Sequence, residues 1–297
     1  MWILFALLSP AVYTITNFVD KYLLSKKVKD YNALPIYTAS VSFLFGLIWW
    51  IISGCPLLPI KDMGIIIATG IITIFSIVVY FKALSVQETS VVILLFQLSP
   101  LFTLVLSSLF LKESLTSMQY IGFFAIFVAT CLLALPQGKK SFGLPQGFWL
   151  IILYDAMFAI IGVLLKFSTQ ESSFSQIISY ESFGMGIGGL LIYLFIPRIR
   201  NAFLKSRKIL FKKALPVIVL NEVMFIIAKS LGYYAFVIGP VVLVSVISNV
   251  QVFFGLAFGW ILTILFPRSF GEDISKKSLL IKATSAFMLF LGLLCML

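Results

Sequence analysis

Long apolar runs set close together are what most constrain this chain. About 20 consecutive apolar residues cross a bilayer as a helix, and such runs recur from end to end of the 297 residues. In lipid every backbone N–H and C=O must be satisfied within the protein, so only helices and closed barrels can span. Barrel strands alternate apolar and polar residues over roughly half that length, and these runs do not alternate. The reading is an all-α integral membrane protein. A mean hydropathy of +1.11 and only 11% charged residues exclude an ordinary soluble domain.

Ten spans are predicted, at about Trp2–Leu24, Pro35–Ser53, Gly64–Leu84, Ser90–Leu111, Leu115–Leu135, Phe148–Phe167, Phe174–Ile196, Ala214–Phe236, Val241–Phe266 and Leu279–Leu297. The segment PQGKKSFGLPQG, ending at Gly147, is the one linker-like joint near the middle. It divides residues 1–136 from 148–297, with 137–147 as the linker. The opening MWILFALLSP has no basic n-region and reads as a retained helix, not a cleaved signal peptide. Cys55, Cys131 and Cys295 lie far apart and there is no histidine. A disulfide framework, a metal site and an imidazole base are therefore not expected. No cofactor is expected either. The string GMGIGG (Gly184–Gly189) spells G-x-G-x-x-G, but it sits inside a span with no strand before it. Gly184 and Gly188 read as a close helix-packing face.

Orientation follows from lysine and arginine. They crowd the loops after odd-numbered spans: Lys21, Lys26, Lys27 and Lys29; Lys82; Lys139 and Lys140; the run from Arg198 to Lys213; and Arg268, Lys276, Lys277 and Lys282. The other loops hold only Lys61, Lys112 and Lys166. The crowded loops are predicted to be cytoplasmic, with both termini outside the cell (inner) membrane. The run RIRNAFLKSRKILFKK then reads as a topology determinant in contact with anionic lipids, not as a nucleic-acid site.

The two halves repeat weakly. With YFKALSVQETSVVILLFQLSPLF from Tyr80 laid over GYYAFVIGPVVLVSVISNVQVFF from Gly232, Ala83 meets Ala235, Val92 meets Val244, Gln97 meets Asn249 and Phe102 meets Phe254. Earlier, Asn17 and Lys21 lie over Gly162 and Lys166, and Gly46 over Gly188. Five spans per half is an odd number, so the second half inserts inverted. Inverted repeats mark alternating-access transporters with a midplane site between the repeats.

The run Leu94–Leu135 resembles the EamA-type repeat of the drug/metabolite transporter superfamily. The matching features are Pro100, Lys112-Glu113, Leu115-Thr116, Gln119 and Ile121-Gly122, with Asn17 and Lys21 late in the first span and Tyr80…Ala83-Leu84 closing the third. The second half departs from this pattern, since Leu265 occupies the place of Glu113 and Glu272 lies in a longer loop. Many ten-span members are thought to keep both termini in the cytoplasm, opposite to the charge distribution here. The resemblance implies a secondary transporter of small metabolites, not an enzyme: amino acids, nucleotide sugars, sugars or drugs. A flippase for a lipid-linked substrate is the alternative on the same scaffold.

Charges inside spans are costly, roughly 2.5–3.5 kcal/mol each on insertion scales, and mark sites or pathways. Glu222 and Lys229 share one helix face about 10.5 Å apart, too far for an assured direct pair, so each is expected to have a partner on another helix or to face water. Counted by depth, Glu181 and Lys229 should meet in the outer half, and Asp155 and Glu222 should share a cavity nearer the cytoplasm. Lys229 is expected to attract a substrate carboxylate; Glu222 or Asp155 would take a substrate amine or a coupling proton. Gln97 and Asn249 are candidate polar walls of the central site. All four charges lie in the second half, while the first offers Tyr13, Asn17, Tyr80 and Gln97. The expected ligand is a small polar or zwitterionic, amino-acid-like molecule.

Overall fold

The computed structural model describes residues 1–28, 30–112, 116–134, 147–168, 172–266 and 275–296. These residues are helical, with no strand among them. The helices are α1 (Trp2–Tyr22), α2 (Leu34–Ile52), α3 (Ile60–Val86), α4 (Thr89–Leu95), α5 (Ser99–Phe110), α6 (Ser117–Ala134), α7 (Phe148–Ser168), α8 (Phe174–Phe195), α9 (Pro197–Lys213), α10 (Leu215–Ile238), α11 (Val241–Ser248), α12 (Gln251–Leu265) and α13 (Lys276–Met296). Among the described residues, seven stretches are long and apolar enough to cross a membrane: α1, α2, α3, α4 with α5, α7, α8 and α10, some with adjoining turns. At the remaining predicted spans stand shorter apolar helices, at Ser117–Ala129, Gln251–Leu265 and Leu279–Gly292. The chain is an integral membrane protein. Outside the described residues fall the linker up to residue 146, Glu113, Leu115, Arg268, Glu272 and Lys29.

Two stretches are broken in mid-course. Between α4 and α5 the chain makes a 3₁₀ turn at Phe96–Leu98. Pro100 follows it and has no N–H to return to the Phe96 carbonyl, so the α-ladder cannot run through. Between α11 and α12 the chain turns at Asn249–Val250, with tight i→i−3 bonds from Val250 to Ile247 and from Val252 to Asn249. In the register that sets Gln97 over Asn249, the two breaks coincide.

The main packing runs between the halves. Helix α1 lies on α10, α7 on α3, α2 and α3 both on α8, α6 on α13, and the two broken stretches on each other. Exchanging each helix for its counterpart in the other half maps α1·α10 onto α7·α3 and leaves α2·α8 and α6·α13 unchanged. The lysines correspond too. Lys21 donates to the carbonyls of Leu84 (2.8 Å) and Gln87 (2.6 Å) at the end of α3. Lys166 donates to those of Phe236 (3.2 Å), Val237 (3.3 Å) and Gly239 (2.9 Å) at the end of α10. In the repeat register Leu84 lies over Phe236 and Gln87 over Gly239. Lys166, counted as a loop charge in the sequence, is therefore a helix cap: it answers carbonyls that have no intrahelical donor.

The GMGIGG segment is a packing face on two sides. A Cβ at Gly70 or Gly184 would strike backbone of the opposite helix, so α3 and α8 touch main chain to main chain. Gly188 meets Ile74 and Ile71 of α3, while Gly186 and Gly189 meet Phe43 and Ala39 of α2. The basic helix α9 is polar and does not span. Its Phe203 ring packs on Tyr37 (5.1 Å) and Tyr193 (6.3 Å), which holds α9 across the ends of α2 and α8.

Gly70→Ala is expected to cost about 1–3 kcal/mol through forced backbone separation. Gly64→Ala, whose Cβ meets nothing within 4 Å, is expected to gain about 0.5–1 kcal/mol from helix entropy. Thermal unfolding of the two variants in one detergent checks the contrast; equal shifts would show that the α3–α8 contact is not close.

Candidate functional site

Between the halves lies a cavity with about 1060 Å³ of empty space, the open space at its mouth included. Its walls come from α1, α2, α3, α7 and α10 and from both helix breaks. The breaks matter because they turn polar groups inward that a continuous apolar helix would not offer: Ser99 beside one, and Ser248, Asn249 and Gln251 at the other.

Three carboxylates line the cavity, Asp20, Asp155 and Glu222, and one ammonium, Lys229. Their surroundings differ. Asp20 is held from two sides: Tyr80 donates its hydroxyl to Oδ2 (3.0 Å) and Asn221 Nδ2 donates to Oδ1 (2.7 Å). The chain of bonds continues outward, since Asn17 Nδ2 donates to Tyr80 Oη (3.0 Å) and Gln251 Nε2 donates to Asn17 Oδ1 (3.2 Å). It thus joins α1, α3, α10 and α12. Glu222 accepts from Thr38 Oγ1 of α2 at 2.5 Å. Asp155 is 0% exposed, and neither of its oxygens meets a donor among the described residues. Asn249 Nδ2, Asn221 Oδ1 and Ser99 Oγ, on the same walls, are also buried without partners.

Lys229 is paired. Its ammonium forms an ion pair with Glu181 of α8, lies 3.3 Å from Met185 Sδ, and sits over the rings of Phe225 (5.8 Å) and Tyr233 (5.9 Å). Tyr233 donates to the other Glu181 oxygen at 3.2 Å. Glu181 is where it is because of the glycines: the Gly70–Gly184 crossing brings its turn of α8 against α3, one layer behind the cavity wall.

Aromatic rings complete the surface beside Asp155. Tyr154 packs on Phe96 (4.8 Å), on Tyr80 (5.9 Å) and, stacked at 17°, on Phe158 (6.2 Å). Phe158 follows Asp155 by three residues on α7, so the two share a helix face.

Of the residues singled out from sequence, Tyr13, Asn17, Tyr80, Asp155, Glu222, Lys229 and Asn249 line this one cavity. Glu181 does not line it: it stands behind Lys229 as counter-ion. The expectation that Lys229 attracts a substrate carboxylate is revised accordingly, because its charge is already compensated. Gln97 sits in the 3₁₀ turn, and its side chain lies outside the described residues. Asp20 was missed, as were Thr38, Asn221 and Gln251, so charge is not confined to the second half. Asp20 could have been found: Tyr13, Asn17 and Asp20 fall on one face of α1.

Residues 1–135 match the profile of the EamA-like transporter family. The match makes the first half of the chain similar to EamA-like transporters, which belong to the drug/metabolite transporter superfamily. It ends where the first half ends. A solved structure titled only as the crystal structure of a protein shares the fold, with a TM-score of 0.67 at 15% identity over 99% of this chain and 94% of that one. No curated protein matches the chain significantly.

Breaking one side of a buried ion pair costs about 3–5 kcal/mol, whereas replacing both sides is close to neutral. Glu181→Gln is therefore expected to lower the unfolding temperature strongly, and adding Lys229→Met to recover most of the loss. A double variant as unstable as the sum of the singles would show that the two residues do not act as a pair. Cysteines at 181 and 229 in the double-cysteine variant are expected to crosslink with a short reagent.

Proposed function

We propose that the chain is a secondary active transporter of a small polar, amine-bearing metabolite, working by alternating access around this cavity. The observation that carries the reading is Asp155. A buried carboxyl group with no donor among the described residues is expensive, and on the wall of a cavity between the two halves it is a natural anchor for the amine of a cargo. Its wall is made where the two halves meet, and both broken stretches open onto it, as in carriers whose discontinuous helices bind substrate.

The finer architecture belongs to the same proposal. Ten spans in two inverted five-span repeats are supported by the coincident breaks, by the exchange pattern of helix pairs, and by the matched lysine caps Lys21 and Lys166. The cell (inner) membrane as location, with both termini outside and the basic loops in the cytoplasm, rests on lysine and arginine placement. Exposed Arg198 and Lys205 on α9 suit anionic headgroups. With no histidine in the chain, coupling to protons would run through Asp155, Glu222 or Asp20. The zwitterionic, amino-acid-like ligand keeps an anchor for its amine here and loses Lys229 as the anchor for its carboxylate. The flippase alternative calls for a basic headgroup pocket, and an excess of carboxylates argues against it.

Ligand that binds only the folded state stabilises by about 2.7 kcal/mol at a hundred times Kd. A thermal-shift screen of purified protein against amines, amino acids, sugars and nucleotide sugars is expected to yield one stabilising class. Asp155→Asn should weaken that response at least about tenfold. A stabilising ligand bound equally well by Asp155→Asn would place the site elsewhere.

A further inference from the structure

The protein's own ammonium shows how this cavity holds a cation. Lys229 Nζ has one carboxylate, Glu181, and two ring faces, Phe225 and Tyr233. Asp155 presents the same components without the cation. Its carboxylate is buried and unpartnered, Phe158 lies on its own helix face, and Tyr154, Phe96 and Tyr80 form a continuous ring cluster on that side of the cavity. A cation over a ring face is attracted by the ring's negative face, most strongly when desolvated. The rings also offer apolar area to whatever body carries the charge.

The charge inventory points the same way. Lys229 is paired from behind by Glu181, and the wall keeps three carboxyl groups, Asp20, Asp155 and Glu222, none of which forms an ion pair among the described residues. Asp20 has two donors and Glu222 has one. Asp155 has none among the described residues, so it is the one whose need a ligand can meet in full. A ligand carboxylate would sit among these carboxyl groups with the wall's ammonium already engaged by Glu181, a placement that like-group juxtaposition disfavours.

The geometry points to an organic monocation as the ligand: an ammonium on an aromatic or apolar body, with its nitrogen at Asp155 and its body against Tyr154 and Phe158. This rests on the carrier reading and narrows it from amine-bearing solutes in general to those with net positive charge. The unpartnered Asn249 Nδ2 and Ser99 Oγ on the same walls suit a neutral acceptor, a hydroxyl or carbonyl, elsewhere on the ligand.

The test holds the body constant and varies the charge. Phenethylammonium, phenylalanine and 3-phenylpropanoate share a ring and chain but are cation, zwitterion and anion. Thermal shift of the full-length wild type is expected to give phenethylammonium an apparent affinity at least about tenfold above the other two. Asp155→Asn should lower it by about thirtyfold or more. Phenylalanine or phenylpropanoate binding as well as or better than phenethylammonium overturns the assignment, and so does no response to the cation. The charge series needs no variant, so it decides even if Asp155→Asn fails to fold. Counterflow in liposomes against a mixed pool of all three charge classes separates the two readings. Flux of zwitterions or anions without cations defeats only the charge assignment, whereas no flux of any class defeats the carrier and this inference with it.

Discussion

A charge inside a bilayer has to be answered by another group of the protein, and the centre of this molecule is organised around that obligation. Lys229 is answered by Glu181. The answer depends on a chain of purely steric events: glycine at positions 70 and 184 lets α3 and α8 touch at the backbone, and the contact sets Glu181 at the depth where α10 delivers Lys229. Such a pair adds little net stability against an apolar substitute. Its effect is on register, because sliding α10 by one turn along α8 would leave both charges unanswered.

The carboxylates of the cavity form a graded series. Asp20 is fixed by two donors from α3 and α10, Glu222 by one from α2, and Asp155 by none. A group held by two donors resists reorientation more than a group held by none. The chain Gln251–Asn17–Tyr80–Asp20–Asn221 therefore acts as a rigid polar seam between the halves, and Asp155 remains as the adaptable position of the same cavity.

Much of this was legible in the sequence because membrane helices write their rules plainly. Apolar runs gave the helical class and most of the spans, and the shared-face arithmetic of Glu222 and Lys229 pointed each of them to a partner on another helix or to water. Depth counting brought Glu181 to Lys229 and Asp155 to Glu222. What could not be read is set by tertiary approach. That Glu181 lies behind the wall and not in it depends on which side of α8 the glycines turn toward α3. Asp20 was hidden by position, since next to Lys21 near a span end it looks like part of a loop. The break at Asn249 carries no proline, so only its pairing with the Pro100 break gives it away. For Lys166, charge counting saw a loop residue where the fold uses a cap.

The two lysine caps have a mechanical consequence. Each acts as a clasp that fastens the first and third spans of its own half at one end only. A pair of rods clasped at one end can splay only at the other. On the ten-span reading the clasps fall at opposite faces of the membrane, so the free ends do as well. The molecule would then behave as two hinged shutters mounted head to tail, each built to open toward the side where the other is fastened.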